Sequence, residues 1–229
     1  MEILGLEKVS FVDYEGYMCA TVFTGGCNFM CSFCHNSSLV NKQQNLISEE
    51  EVLSYLESRK KLLEAVTISG GEPTLQKDLK AFIKKVKSLG FKVKLDTNGT
   101  FPFVVKDLID ENLIDFVAMD IKTCFSEYSL VTGVKFNYSE KVKETLEILR
   151  NSNVKYELRT TLVKEFHNKE TIKQMALDLK NEKLLYLQKF VDSGDCIKNN
   201  LNQIEKQQAL EFKEILEKNI QVVNLRGYS

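Results

Sequence analysis

Apolar positions along the chain alternate between two periods. Short runs dense in Val, Ile, Leu and Phe read as strands: MCATVF (18–23), AVTIS (65–69), FKVKLD (91–96), FVAMDI (116–121), VKYELRTTLV (154–163) and KLLYLQKF (183–190). QVVNL (221–225) adds a last edge strand. Between these runs the apolar residues return every three or four positions, the spacing of a helix with one buried face. Val52, Leu53 and Leu56 form one such set, and Leu75, Leu79, Phe82, Ile83 and Val86 another. Further helices are expected near 102–112, through Val142, Leu146 and Leu149, through Ile172, Met175, Ala176 and Leu179, and across Ala209, Phe212 and Leu216. Ser48 with Glu51 makes a capping box for the first, and Gly90 ends the second.

Regular strand–helix alternation with short connections predicts an α/β fold with a parallel sheet and right-handed crossovers. Six units are too few to close an eight-fold barrel, so an open, partial (βα)6 barrel is expected. A doubly wound sheet is the alternative that periodicity leaves open. The reading is of a single domain over 1–229, with 1–16 an extension packing on a partial barrel of 17–229. Polar clusters end successive strands: the cysteine loop after 18–23, Gly70-Gly71-Glu72, Asp96-Thr97-Asn98-Gly99, and Asp120-Ile121-Lys122. Barrels and open α/β sheets build active sites at the C-terminal ends of their strands.

Composition narrows the partners. The 229 residues are 43% hydrophobic and 28% charged, with net charge −1 and a pI near 6.2. No basic excess points to nucleic acid. The opening MEILGLEKVSFVDYEGY has no basic, apolar leader, and no apolar run reaches the ~20 residues of a membrane span. A cytoplasmic protein is expected.

In such a reducing compartment cysteines mark metal or redox chemistry rather than disulfides. Of six cysteines, Cys27, Cys31 and Cys34 crowd into C-x3-C-x2-C. Thiolates suit iron–sulfur clusters, and three ligands leave one iron of a four-iron cluster open for substrate. The alternative is a structural zinc with His35 as fourth ligand, although no second ligand pair follows at finger spacing.

GCNFMCSFCHN resembles the signature of the radical S-adenosylmethionine enzymes. ISGGEPTLQ, KLDTNG, VAMDIK, ELRTTLV and the ending VVNLRG follow in order, so that residues 5 to 227 resemble the activating proteins of anaerobic ribonucleoside-triphosphate reductase and, less closely, of pyruvate formate-lyase. The resemblance implies a [4Fe–4S] cluster on Cys27, Cys31 and Cys34, with S-adenosylmethionine chelating the fourth iron. It implies an adenine site lined by Phe33 and His35, Gly70 and Gly71 beside the methionine portion, and Glu72 near its amino group. Asp96, Thr97 and Asp120 match positions that bind a monovalent cation in the lyase activator; helix capping is the alternative for Asp96 and Asp120. Asn98 would contact the cofactor or hold its turn. Lys122 and Arg159 would contact the cofactor carboxylate or an incoming peptide, or form a buried ion pair.

This chain departs from the pattern twice. Relatives carry Pro-Gly where it has Lys164-Glu165, and LQKFVDSG lacks the cofactor-contacting His of the lyase activator, which leaves Gln188 or Lys189 for that role. His167 reads as a surface residue, Cys19 as a small core residue and Cys124 as a buried thiol near the mouth; Cys19, Cys124 and Cys196 each lie without a second cysteine at C-x2-C spacing, which argues against a second cluster. The implied function is that of a glycyl-radical enzyme activase. An electron from a flavodoxin or ferredoxin cleaves S-adenosylmethionine, and the resulting radical takes a hydrogen from a glycine of the partner, anaerobic ribonucleotide reductase. The competing readings are a radical enzyme acting on a small molecule, another glycyl-radical partner, and an iron–sulfur electron carrier.

Overall fold

The computed structural model describes residues 1–41, 44–192, 194 and 196–228. Its strands are β1 (Ile3–Ser10), β2 (Cys19–Thr24), β3 (Ala65–Gly70), β4 (Lys92–Thr97), β5 (Phe116–Asp120), β6 (Lys155–Leu162), β7 (Leu184–Lys189) and β8 (Val222–Arg226). Its helices are α1 (Ser37–Val40), α2 (Glu49–Arg59), α3 (Leu79–Ser88), α4 (Pro102–Asp110), α5 (Tyr128–Thr132), α6 (Ser139–Arg150), α7 (Lys169–Asp178) and α8 (Lys206–Leu216).

The order of strands in the sheet is their order in the chain, β1 through β8. β2 pairs with β3, β3 with β4, β6 with β7 and β7 with β8, all in parallel, so each connection must carry a crossover. A doubly wound sheet reverses its strand order at a switch point, whereas this order never reverses. The fold is therefore the α/β partial barrel expected, and not the doubly wound alternative.

The N-terminal stretch does more than pack on the barrel. β1 pairs antiparallel to β2, with Leu6 opposite Val22 and Glu7 opposite Thr21. Ile3 and Leu4 are buried while Glu7, Lys8 and Val9 are exposed, the profile of an edge strand whose polar half blurs its periodicity.

The chain forms two compact units. One comprises Met1–Asn28, Ser38–Ala118 and Lys141–Lys155. Its core is built by Val22, Ile68, Val93 and Leu95 from the strands with Val52, Leu56, Phe82 and Ile83 from the helices, all buried. Ser48 caps α2 by accepting the Glu51 N–H, as the capping box predicts. The other comprises Phe29–Ser37, Met119–Glu140 and the chain from Tyr156 onward. Leu158, Leu185, Leu187 and Val223 there pack with Ile172, Met175, Phe212 and Leu216. Asn168 caps α7 with its side chain, accepting from the Glu170 and Thr171 N–H groups.

Candidate active site

In the first unit the loops after β2 and β3 are tied together by backbone, and the loop after β4 joins them through the Glu72 side chain. The Gly71 N–H donates to Thr24 O (2.9 Å) and the Glu72 N–H to Gly26 O (2.8 Å). A Cβ on Gly70 would stand 2.3 Å from Thr24 N, and one on Gly71 would stand 1.9 Å from Gly26 O. Gly70 also has φ of +118°, a conformation that L side chains rarely adopt. Close approach explains both glycines, and here the approaching backbone is that of the cysteine loop itself. Gly71→Ala should therefore cost about 1–3 kcal/mol by forcing the two loops apart, read as a lower denaturant midpoint with an unchanged slope.

Glu72 is fully buried and both its oxygens are engaged. Oε1 accepts from the Thr74 N–H (3.1 Å), the Thr74 hydroxyl and the Thr97 hydroxyl (2.7 Å); Oε2 accepts from the Asn98 N–H (2.6 Å). Burial pushes its carboxyl above the usual carboxylate range, against these bonds, which favour the ionised form. Asn98 then continues the network: its Nδ2 donates to Asn28 Oδ1 at 2.9 Å and stands 4.0 Å from Cys27 Sγ. Asp96 accepts from the Ser69 hydroxyl (3.1 Å) and lies 3.4 Å from the Lys94 ammonium.

In the second unit Cys31 and Phe33 are buried, Cys34 is half-buried and His35 is exposed. The Phe33 ring packs against Phe166, with centroids 5.9 Å apart. Burial pushes the Cys31 thiol up to about 11, and the Lys122 charge acts in the opposite sense. Asp120, at the end of β5, receives Lys122 Nζ on Oδ2 and Arg159 Nε on Oδ1, each at 2.9 Å. Burial opposes ionisation of Asp120, but Arg159 and Lys122 outweigh it and hold its carboxyl well below the usual range. Burial likewise opposes the charge on Lys122, yet Asp120 keeps the ammonium above its ordinary pKa. Gln188 is half-buried at the end of β7, in register with Thr161 and Arg226.

Several expectations change. Thr97 donates to Glu72, Asp96 faces Lys94, and Asp120 is matched by two cationic side chains. A carboxylate already carrying two positive partners has no charge to offer a metal ion, so Asp120 as placed here does not fit the monovalent cation site. His167, expected at the surface, is only 1% exposed. Its Nδ1 accepts from the Val163 N–H (3.0 Å) and its Nε2 meets Lys122 O (3.0 Å), which pins the Asp120–Lys122 loop from behind. Lys164-Glu165, where relatives carry Pro-Gly, is clamped to a later loop: the Lys164 N–H donates to Asn202 O, and Glu165 accepts from the Asn202 N–H and amide. Cys19 is a core residue as expected, fully buried with its thiol toward Ser10 O. Cys124 is buried beside the Ser126 hydroxyl, and Cys196 lies 3.9 Å from Phe33 O.

Burial lowers the His167 pKa from 6.5 to about 4. The folded protein thus keeps His167 neutral while the unfolded chain takes up a proton below pH 6.5, so stability is lost as pH falls through that window. Between pH 7 and pH 5 the loss is about 2 kcal/mol. Urea unfolding of the apoprotein at both pH values checks it, since His167→Asn should flatten the difference.

Comparison with known proteins decides the family. A model of the radical SAM superfamily matches residues 21–179. The chain belongs to the radical SAM superfamily. A Methanocaldococcus jannaschii protein, provisionally named as a glycyl-radical enzyme activating enzyme, is 35% identical over 82% of this chain and 79% of its own. A second protein of that organism with the same provisional name is 30% identical over 85% of this chain and 75% of its own. Among solved structures, Streptococcus suis SuiB bound to S-adenosylmethionine matches with a TM-score of 0.67 at 17% identity, over 89% of this chain. The chain spans about half of SuiB's length, 49%, and the likeness is one of fold.

As a radical SAM enzyme the protein takes a [4Fe–4S] cluster and S-adenosylmethionine. Its donor chemistry fits the cluster. No cysteine is in a disulfide, Lys122 favours the thiolate of Cys31, and an amide N–H faces the sulfur of Cys27. Among the described residues no three His, Cys, Asp or Glu side chains are already gathered as a metal site. The residues that sequence reasoning missed are Asn28, inside GCNFMCSFCHN, and Thr100, directly after KLDTNG; both support the candidates rather than carrying chemistry.

Proposed function

We propose that this radical SAM enzyme is a glycyl-radical enzyme activase, with Cys27, Cys31 and Cys34 holding the cluster. The observation that carries the reading is the 35% identity, spread over 82% of the chain, with a provisionally named activase. Cys27, Cys31 and Cys34 would hold the cluster, which with S-adenosylmethionine would supply one-electron reductive cleavage of the cofactor and, through it, removal of the Cα hydrogen of a partner glycine.

The chain's own residues bind and orient. Lys122 just after β5, Arg159 within β6 and Asp120 at the end of β5 together carry one net positive charge, a match for the cofactor carboxylate. Phe33 and His35 serve the adenine, Gly70 and Gly71 bring backbone to the methionine portion, and Asp96, Asn98 and Gln188 complete the polar lining. Glu72, with both oxygens engaged inside the fold, acts through the turn it holds. The described residues include no helix long and apolar enough to cross a membrane, which accords with a cytoplasmic enzyme fed by flavodoxin or ferredoxin.

Anaerobic ribonucleoside-triphosphate reductase is the partner the motif set favours, because the VVNLRG ending and the absence of a His after β7 follow its activators. Mixing the reduced holoenzyme and S-adenosylmethionine with that reductase should produce a glycyl electron-paramagnetic-resonance doublet. A doublet only with a pyruvate formate-lyase type enzyme would reassign the partner, and none with either would defeat the activase reading.

A further inference from the structure

We infer that Asn98 donates a hydrogen bond to the sulfur of Cys27 and thereby raises the reduction potential of the cluster that Cys27 ligates. The inference rests on the assignment of Cys27 as a cluster ligand.

The amide of Asn98 is buried, and its orientation follows from its neighbours. Its Oδ1 accepts from the Thr100 N–H (3.1 Å) and from the Thr100 hydroxyl (2.7 Å). A backbone N–H can only donate, so a flipped amide would set two donors against each other. Oδ1 is fixed toward Thr100, and Nδ2 toward the cysteine loop. One Nδ2 hydrogen is used by Asn28 Oδ1 at 2.9 Å. The second has Cys27 Sγ as its acceptor, at 4.0 Å.

The surroundings hold this arrangement firmly. Asn28 Nδ2 donates to Thr100 Oγ1 (3.0 Å), closing a ring of Asn98, Asn28 and Thr100. The Asn98 N–H is anchored on Glu72 Oε2 (2.6 Å), and the Thr145 hydroxyl donates to Gly99 O (2.6 Å). Asn98 cannot turn away without breaking several of these bonds.

A thiol is a weak acceptor, but a thiolate on iron carries charge, and the N–H···S bond tightens accordingly. Adding an electron to the cluster puts more negative charge on its sulfurs. A donor at sulfur therefore stabilises the reduced state more than the oxidised one and moves the potential upward. Asn98 is a positioning residue in this account: it makes the cluster easier to reduce through Cys27.

The test is a redox titration of the anaerobically reconstituted holoenzyme, following the resonance signal of the reduced cluster. In Asn98→Ala the ratio of reduced to oxidised cluster at a fixed ambient potential should fall about threefold. That is a shift of about −28 mV at 59 mV per tenfold for one electron. Asn98→Asp keeps an oxygen for Thr100 but sets a carboxylate oxygen beside the sulfur, and should fall further. Full cluster content with an unchanged potential in both variants would overturn the inference. Should neither variant assemble the cluster, Thr100→Val decides, since it loosens the amide without touching the donor. A smaller shift in the same direction supports the inference, and an unchanged potential overturns it. Failure of the unmodified protein to bind a cluster would instead sink the assignment of Cys27.

Discussion

Cys31→Ala is expected to take up no intact [4Fe–4S] cluster and to form 5′-deoxyadenosine only at background. Removing an outer-shell partner from a metal site lowers affinity or activity by about 10–100-fold; removing one of three ligands should exceed about 100-fold. Cys31 is the sharpest of the three to test because it is buried and faces a cation. Its thiol is held up to about 11 by burial, so it stays protonated until iron binds the sulfur and the proton is released to solvent, while the Lys122 charge stabilises the thiolate that results. Iron and sulfide content after anaerobic reconstitution checks the first half of the expectation, and product formation the second. Cys19→Ala is the matched control: that thiol is fully buried in the core beside Ser10 O and Thr67, and its loss should lower stability while cluster content stays complete. A Cys31→Ala protein with full iron content would show that the cluster is held elsewhere.

The second large effect is on stability. Glu72→Ala deprives the Thr74 N–H, the Thr74 and Thr97 hydroxyls and the Asn98 N–H of their common acceptor. The side chains of Thr74, Thr97 and Asn98 are themselves almost wholly buried, so water does not readily replace the carboxylate. At 1–3 kcal/mol for each stranded donor, with partial relief by hydroxyl rotation, the loss should be about 4 kcal/mol. A protein of this size would then melt roughly 8–16 °C lower. Glu72→Gln keeps the shape but turns an amide against one of the donors, and should lose less. A loss below about 1 kcal/mol in Glu72→Ala would mean that the carboxylate is free to meet a ligand directly.

Much of this was legible in the residue pattern. The β-rich runs give β2 to β8 to within a residue at each end, and the helical spacings place six of the helices, because a strand buried on both faces and a helix buried on one leave different periods. β1 was not legible, since Glu7 and Lys8 on its exposed half hide the alternation that Ile3 and Leu4 begin. The placing of polar clusters at strand ends located the candidate site, but not what each side chain does there. Asp96, Thr97 and Asp120 look alike in sequence as oxygen ligands. Only the fold shows that Lys94, Glu72, Lys122 and Arg159 already occupy them. Gly70 and Gly71 were expected beside the methionine portion of the cofactor; the fold adds a second reason for them, the backbone of Thr24 and Gly26 standing where a Cβ would go. His167 was misplaced because a lone histidine in HNKE resembles solvated loop, and one of the two carbonyls it meets, that of Lys122, lies 45 residues away in the chain.

The central claim is that this chain cleaves S-adenosylmethionine reductively at a cluster. Its most direct test is to reconstitute the protein anaerobically, reduce it, add the cofactor and measure 5′-deoxyadenosine and methionine together. The account predicts both products in equal amounts, dependent on reductant and absent from Cys31→Ala. A fully loaded, reduced cluster that yields neither product would contradict it.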